Sequence, residues 1–277
     1  MNFVLGSRGR LGRAIVAAQV PGNVTALDRS TYASWWRDGA EDEIARFFDK
    51  HGDESGVVYV ATGVLDPKAP EEEHHRINLH LPRNVIRAAS KVGLRVVTFG
   101  TVMEAIAAGK ETANPYILSK IKLGEFVSGC GAKILHIRIH TLYGGGSPNA
   151  FMFLGQILAS IKRKNRFDMS SGNQLREYHH IDDEIMAINA LVERGLVGVV
   201  DLSHGNPVAL KDMAVFIFEQ FGSSNLLNVG ALPSPQEDNY GLFFKREPVL
   251  KDLAFRETLP AVVEYLRSCE TLGEGKI

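Results

Sequence analysis

Long apolar runs are missing from this 277-residue chain. Nothing in it approaches the roughly 18 uninterrupted apolar residues of a membrane span, so no membrane partner is expected. Cysteine is scarce. Cys130 and Cys269 stand far apart and offer neither a disulfide framework nor a metal-ligand spacing. An excess of one charge is missing too. The formal net charge is −1, which removes the global electrostatic argument for nucleic acid as a partner. The longest basic run, Lys162-Arg163-Lys164 with Arg166 close behind, reads as a solvated helix end. Repeats and low-complexity stretches are absent. The residues before Gly6 are too few for the apolar core of a secretion signal. Together with two unpaired thiols, this predicts a cytoplasmic protein.

What is present is ordinary globular composition, 45% hydrophobic and 23% charged, in a chain long enough for two lobes. The first half alternates short β-rich runs with helical stretches. Strands are expected at Phe3–Leu5, Asn23–Leu27, Gly56–Val60, Leu94–Phe99 and Lys133–Ile139. Helices are expected at Leu11–Gln19, Glu41–Lys50, Glu71–Val92 and Tyr116–Ser128. The strands lack polar alternation, as strands covered on both faces do. The fold class is therefore α/β, a doubly wound parallel sheet of Rossmann type. After the Gly144-Gly-Gly-Ser-Pro148 loop the pattern changes. A helix is expected near Ala150–Lys164, a buried strand near 198–203 returning to the main sheet, and a last helix near Leu259–Cys269. The predicted division is a dinucleotide-binding lobe over 1–145 and a smaller substrate lobe over 146–277.

Four motifs carry chemistry. Gly6-Ser7-Arg8-Gly9-Arg10-Leu11-Gly12 follows the first strand and opens the first helix. Glycines at this spacing permit a tight turn, close backbone approach to a pyrophosphate and close helix–strand packing. The helix N-terminus adds free N–H groups for the phosphates. Asp28 ends the second strand, where an acid suits the ribose 2′-hydroxyl of NAD. Arg29 and Arg8 can instead pair a 2′-phosphate, and as a bare turn Asp28-Arg29-Ser30 caps a helix. NAD and NADP both stay open, with the arginines tilting toward NADP. Tyr116-Ile-Leu-Ser-Lys120 places a phenol and an ammonium one helical turn apart. The ammonium, together with the positive nicotinamide of an oxidised cofactor, is expected to lower the phenol from its ordinary value of about 10. Thr101, just past the fourth strand, can orient a substrate oxygen toward Tyr116.

The histidine pairs His74-His75 and His179-His180 point their neighbours in different directions. With no carboxylates to join them, no metal site is expected. His140, at a strand end, is a candidate contact to a nicotinamide.

In order along the chain, these pieces resemble the extended short-chain dehydrogenases/reductases, the NAD-dependent epimerase/dehydratase family of nucleotide-sugar epimerases and reductases. The resemblance rests on the glycine loop, Asp28, Val60-Ala61-Thr62-Gly63, Asn78 with Leu81, Phe99-Gly-Thr101 and Tyr116-x-x-Ser-Lys120. It continues through Arg138-Ile-His-Thr-Leu-Tyr143-Gly144 to Arg176-Glu-Tyr-His-His-Ile-Asp-Asp183. It implies catalysis by Thr101, Tyr116 and Lys120. It implies cofactor contacts from the glycine loop, Asp28, Arg29, Ala61, Thr62, Gly63, Asn78, Tyr116, Lys120 and His140. Arg176 inherits a contact to the substrate diphosphate, with Asn149 beside the following helix, and a homodimer is implied. His180 and Asp183 are structural in that pattern.

One departure matters. Dehydratases of the group carry Asp-Glu directly after the threonine, whereas Val102-Met103 stand here and Glu104 comes two positions late. The string through Asp66 and the short Asp28–Gly56 stretch are more like 4-ketosugar reductases. The expected activity is therefore NAD(P)-dependent reduction or epimerisation of a nucleotide-activated sugar, most closely a 4-ketosugar reductase. The alternatives are a reductase of a non-sugar carbonyl, which the Arg176–Asp183 string disfavours, and a silent NADP-binding scaffold, which the intact Thr101/Tyr116/Lys120 set disfavours.

Overall fold

The structure is a computed structural model that describes residues 1–52, 55–66, 68–109, 114–130, 133–236 and 238–271. The elements of the first half follow in order. They are β1 (Asn2–Leu5), α1 (Arg10–Ala17), β2 (Val24–Ala26), the short α2 (Arg29–Tyr32), α3 (Glu41–His51) and β3 (Val57–Val60). After these come α4 (Glu71–His74), a π-helical turn (His75–His80), α5 (Leu81–Lys91), β4 (Arg95–Thr101), α6 (Met103–Ile106), α7 (Pro115–Ser128) and β5 (Ile134–Ile139). The predicted Glu71–Val92 helix is thus broken by a π turn. Pro82 supplies the cause. It has no N–H for the carbonyl of Asn78 and its ring crowds that carbonyl, so the helix widens just before it.

Six strands form one parallel sheet in the order β10-β5-β4-β3-β1-β2. Its last member, β10 (Gly198–Asp201), pairs with β5. The order reverses between β1 and β3, and open α/β sheets bind ligands at such a switch point, beyond the carboxyl ends of the strands. All four β3 residues are buried, as expected of a strand covered on both faces.

The chain divides into two compact units. Met1–Ile139 with Ile188–Leu202 form the first, and His140–Ala187 with Ser203–Ile277 the second. The division falls at Ile139, not at 145, and the end of α9 (Ile181–Glu193) goes with β10 into the first unit. Arg95 fixes that return segment through the carbonyls of Val192 and Leu196, and Arg138 pairs with Asp201 at 2.7 Å.

The first unit's core contains Trp35, Phe3 and Phe48, all essentially inaccessible. Their rings meet at tilted and edge-on angles, the arrangement aromatic quadrupoles favour. Asn84 anchors this corner, donating to the carbonyls of Trp35 at 2.9 Å and Arg37 at 2.7 Å.

The second unit contains β6 (Thr141–Tyr143), α8 (Phe153–Arg163), β7 (Phe167–Met169), β8 (Leu175–Arg176), β9 (Tyr178–His180) and most of α9. It continues with β11 (Val208–Ala209), α10 (Leu210–Gln220), β12 (Leu227–Val229) and α11 (Thr258–Thr271). Its core packs α8, α10 and α11 around residues such as Ile157, Phe218 and Leu266. Helix α8 starts three residues later than predicted, because Ala150–Met152 form a turn closed by the Met152 N–H on the Asn149 carbonyl at 3.0 Å. No helix among the described residues is long and apolar enough to cross a membrane.

Truncating Trp35 to alanine empties the centre of the first core. The expected cost is about 3–5 kcal/mol, read as a fall in the urea midpoint by circular dichroism. A loss below 1 kcal/mol would contradict the packing.

Candidate active site

The glycine loop joins β1 to α1. Gly6 has φ +79°, and a Cβ there would lie 2.6 Å from the carbonyl carbon and oxygen of Ala61 and 2.7 Å from the Thr62 nitrogen. A Cβ on Gly12 would lie 2.2 Å from the Gly6 oxygen. The three pieces therefore touch backbone to backbone. Helix α1 opens at Gly9 with no side-chain cap and no acidic residue in its first turn, which leaves its N–H groups for an external anion. The Thr62 hydroxyl is buried without a hydrogen-bond partner. A cradle too tight for side chains, an uncapped helix and an orphaned hydroxyl together fit a dinucleotide phosphate.

Asp28 lies beyond β2, at the N-cap position of α2, and its side chain makes no capping bond. Instead it accepts from Arg8 at 3.0 Å, with the two side chains 68% and 85% exposed. The acid and one of the two arginines weighed against each other for NAD and NADP are thus partners. Arg29 is exposed beside them.

Asn78 has another task. Its fully buried amide accepts from Val64 N–H at 2.8 Å and donates to the Val64 carbonyl at 3.0 Å and to Ser119 Oγ at 3.2 Å. It clamps the loop after β3, including Ala61, Thr62 and Gly63, to helix α7. The π turn sets that amide inward.

Asn114 starts α7, accepting the N–H groups of Tyr116 at 3.0 Å and Ile117 at 3.4 Å, with Pro115 at the first helical position. Both are strong helix-start signals. Lys120 is buried and its Nζ donates to the Phe99 carbonyl at 2.7 Å. Thr101 is the last residue of β4, not a residue past it, and its side chain is near enough to the Tyr116 phenol to lower the phenol's pKa. The three predicted catalytic residues are therefore gathered on β4 and α7. Residues 110–113 of the intervening segment lie outside the described residues.

The protein's own groups do not lower the Tyr116 pKa. Burial raises the phenol's pKa, and the negative charge of Glu104 adds to the rise; only the Thr101 hydrogen bond opposes it. Lys120 is lowered to about 8 by burial, with Glu104 working against the fall. The protein itself thus holds Tyr116 protonated, as a proton donor.

In the second unit, Arg176 pairs with Asp238 at 2.5 Å and donates to the Leu175 carbonyl at 2.9 Å. Asn149 is exposed in the turn before α8. Asp183 is buried and paired with Arg256.

His140 is buried with its Nε2 3.8 Å from Glu177 Oε1. It belongs to a cluster that sequence reasoning missed. His179 lies between two carboxylates, with Nδ1 2.7 Å from Glu184 and Nε2 3.0 Å from Glu177. Glu177 also accepts from Ser203 Oγ and the His204 N–H, both at 2.7 Å.

The donor atoms of His179, Glu184 and His204 lie within 4.8 Å of one another. The rings of His179 and His204, however, are stacked face to face at 3.5 Å and 5°. An ion in the plane of one ring would stand well out of the plane of the other, so the two lone pairs do not converge. The cluster is instead a buried charge network. Burial opposes a charge on His179, but Glu184 and Glu177 outweigh it and raise its pKa to about 9. Burial keeps His140 and His204 neutral, at about 3 and about 2. A Glu at each ring nitrogen of His179 was the missing signal, visible only once β9, α9 and the Ser203 turn are brought together.

Comparison with known proteins adds context to this geometry. A family profile described as the NAD dependent epimerase/dehydratase family matches residues 2–200. No curated protein matches the chain. Among solved structures, a dTDP-4-dehydrorhamnose reductase from Clostridium acetobutylicum is similar, with 18% identity over 97% of this chain and 99% of its own and a TM-score of 0.73. The Bordetella bronchiseptica enzyme WbmG in complex with NAD gives 15%, 97%, 94% and 0.76. RMD from Pseudomonas aeruginosa complexed with NADPH gives 15%, 98%, 99% and 0.74. At such identities the likeness concerns the fold.

The buried cluster dictates a pH response. His179 is raised above its unfolded value of about 6.5, so its contribution is complete below pH 6.5 and is lost as the pH rises toward 9. His140 and His204, held neutral, cost stability as the pH falls below 6.5. The thermal midpoint should therefore fall from pH 6.5 to 9, with His179 accounting for up to about 3 kcal/mol. Glu184→Gln removes the larger of the two attractions, and its alkaline decline should be flatter. An identical decline in the two proteins would remove His179 as the source.

Proposed function

Because the chain belongs to the NAD dependent epimerase/dehydratase family, we propose that it is an NAD(P)-dependent oxidoreductase or epimerase acting on a nucleotide-activated sugar, and specifically a 4-ketosugar reductase. The observation that carries this reading is the gathering of Thr101, Tyr116 and a buried Lys120 on β4 and α7. The cradle at Gly6, Ala61 and Gly12, with the open N-terminus of α1, suits the cofactor's phosphates. The cofactor is NADP or NAD, with Arg8 and Arg29 tilting toward NADP.

When bound, the nicotinamide supplies the hydride. The chain's own residues do the rest. Thr101 orients the substrate carbonyl through its hydroxyl. Tyr116 gives its phenolic proton to that oxygen as negative charge develops there. A phenol held protonated by burial and by Glu104 suits a reduction. Lys120, fixed by the Phe99 carbonyl, positions Tyr116 one turn away. The second unit binds the substrate, with Arg176 exchanging Asp238 for a diphosphate and Asn149 beside α8. The solved reductases from Clostridium acetobutylicum and Bacillus anthracis, the latter in complex with NADP, support this substrate class. The reading includes a cytoplasmic homodimer.

Thermal shift with NADPH, NADH and each of CDP, GDP, UDP and dTDP is the first test. A ligand at a hundredfold excess over its Kd adds about 2.7 kcal/mol. Stabilisation by one reduced cofactor and one nucleoside diphosphate is expected, and it identifies the base for assays. A shift with cofactor alone would move the reading to a non-sugar carbonyl. On the matching substrate, Tyr116→Phe should lose at least about a hundredfold in kcat while keeping the cofactor shift. Full activity in that variant would sink the acid–base assignment.

A further inference from the structure

Glu104 is buried beneath the Tyr116–Lys120 face of α7, at 5% exposure. Its Oε1 accepts the Thr101 N–H at 2.7 Å. Its Oε2 lies 3.2 Å from Nε2 of His136, which is fully buried on β5. The other ring nitrogen, Nδ1, is 2.8 Å from Thr98 Oγ1. A carboxylate accepts, so Nε2 carries a proton, and Nδ1 shares a second hydrogen bond with the Thr98 hydroxyl, which can donate or accept.

Two glycines make the room. A Cβ at Gly100 would lie 2.1 Å from Glu104 Oε1 and 2.4 Å from His136 Nε2, and one at Gly124 would lie 2.9 Å from Glu104 Oε2. Gly124 stands one turn beyond Lys120, which stands one turn beyond Tyr116, on a single face of α7. The chain has therefore left out side chains on two elements around one buried anion. Burying an unpaired carboxylate costs several kcal/mol, and Lys120 is the cation available to repay it.

Resting on the acid–base reading of Tyr116, we infer that Glu104, held by His136, is a positioning residue that serves as the buried counter-anion of Lys120 and so sets the protonation of the Tyr116–Lys120 pair. It acts through Thr101 and through its field, not by touching substrate. The direction follows from Coulomb's law: a nearby negative charge raises the pKa of both the ammonium and the phenol, and Glu104 acts on both in that sense. Other ionisable groups around the pair have their own settings. His74 meets the Tyr116 ring edge-on at 6.2 Å. Asp201 on β10 senses Glu104 and His136 but is paired with Arg138 at 2.7 Å.

Glu104→Gln is the decisive variant. It keeps the acceptor for Thr101 N–H, and His136 can switch tautomer to accept from the new amide, so the charge changes and the packing does not. In intact protein carrying 13C at the lysine ε carbon, the Lys120 resonance is assigned by its loss in Lys120→Met. Its titration midpoint should lie well below that of an ordinary lysine, and should fall by a further pH unit or so, about tenfold in the proton equilibrium, in Glu104→Gln. An unchanged midpoint overturns the proposal.

The same substitution should move the alkaline limb of the kcat profile down by a similar amount with KM little changed, a response that a purely structural glutamate would not give. An enzyme without turnover on any sugar nucleotide would defeat the functional reading and leave the lysine titration to stand. If Glu104→Gln does not fold, Gly124→Ala decides: its Cβ would stand 2.9 Å from Glu104 Oε2 and displace the carboxylate, so the Lys120 midpoint should move, and an unchanged midpoint refutes the idea.

Discussion

The hydrogen bond from Lys120 to the Phe99 carbonyl is the contact on which the candidate site depends. A buried ammonium must find an acceptor or give up its proton. The free acceptor is a strand carbonyl of β4, so the bond ties α7 to the sheet at one fixed height. Tyr116 then stands one turn earlier on the helix, and Thr101 two residues further along the strand. Asn114 fixes the helix start, and Asn78 with Ser119 fixes its middle against the loop after β3. The phenol is thereby placed by three independent restraints before any ligand arrives, which is the preorganisation that general acid catalysis exploits.

Two buried histidines that touch carboxylates, His179 and His136, show how surroundings shape a charge network. His179 has a carboxylate on each ring nitrogen, and the sum overcomes burial to give an imidazolium. His136 has a carboxylate on one nitrogen and a threonine hydroxyl on the other. The hydroxyl can donate or accept, so only one carboxylate bears on that ring. The first arrangement spends its negative charge locally, also holding the Ser203–Gly205 turn through Glu177. The second lies against Gly124, on the helix that carries Lys120.

The sheet was legible in the sequence because buried parallel strands are continuous apolar runs. Val57–Val60 is such a run, and its boundaries came out within a residue. The glycine loop was legible because position after the first strand, not glycine content, identifies it. The π turn was signalled by Pro82 inside a helical pattern, yet a proline alone does not choose between a kink, a break and a widened turn. Glu104 was legible as a departure from a motif but not as a buried anion, since its partners Thr101, His136 and Gly124 meet only through the sheet. The histidine cluster was illegible for the same reason. His140 and His204 stand far along the chain from the Glu177–Glu184 stretch, and no local periodicity connects them to it. For Tyr116 the sequence supplies the ammonium at i+4 but not the burial, nor the carboxylate that acts the other way.

The Arg8–Asp28 pair bears on cofactor choice through its exposure. Ion pairs so open to water contribute little, so breaking one is cheap. A 2′-phosphate brings two negative charges where Asp28 brings one, and a guanidinium binds phosphate oxygens in the same bidentate fork. Arg8 can therefore leave Asp28 for the stronger anion, with Arg29 exposed alongside to share it. Asp28 would then face the phosphate as a like charge, but at a solvent-facing position that screening softens. With a plain ribose the pair stays intact and Asp28 keeps an oxygen free for the 2′-hydroxyl. Cofactor preference in this loop is thus a contest between two weak terms.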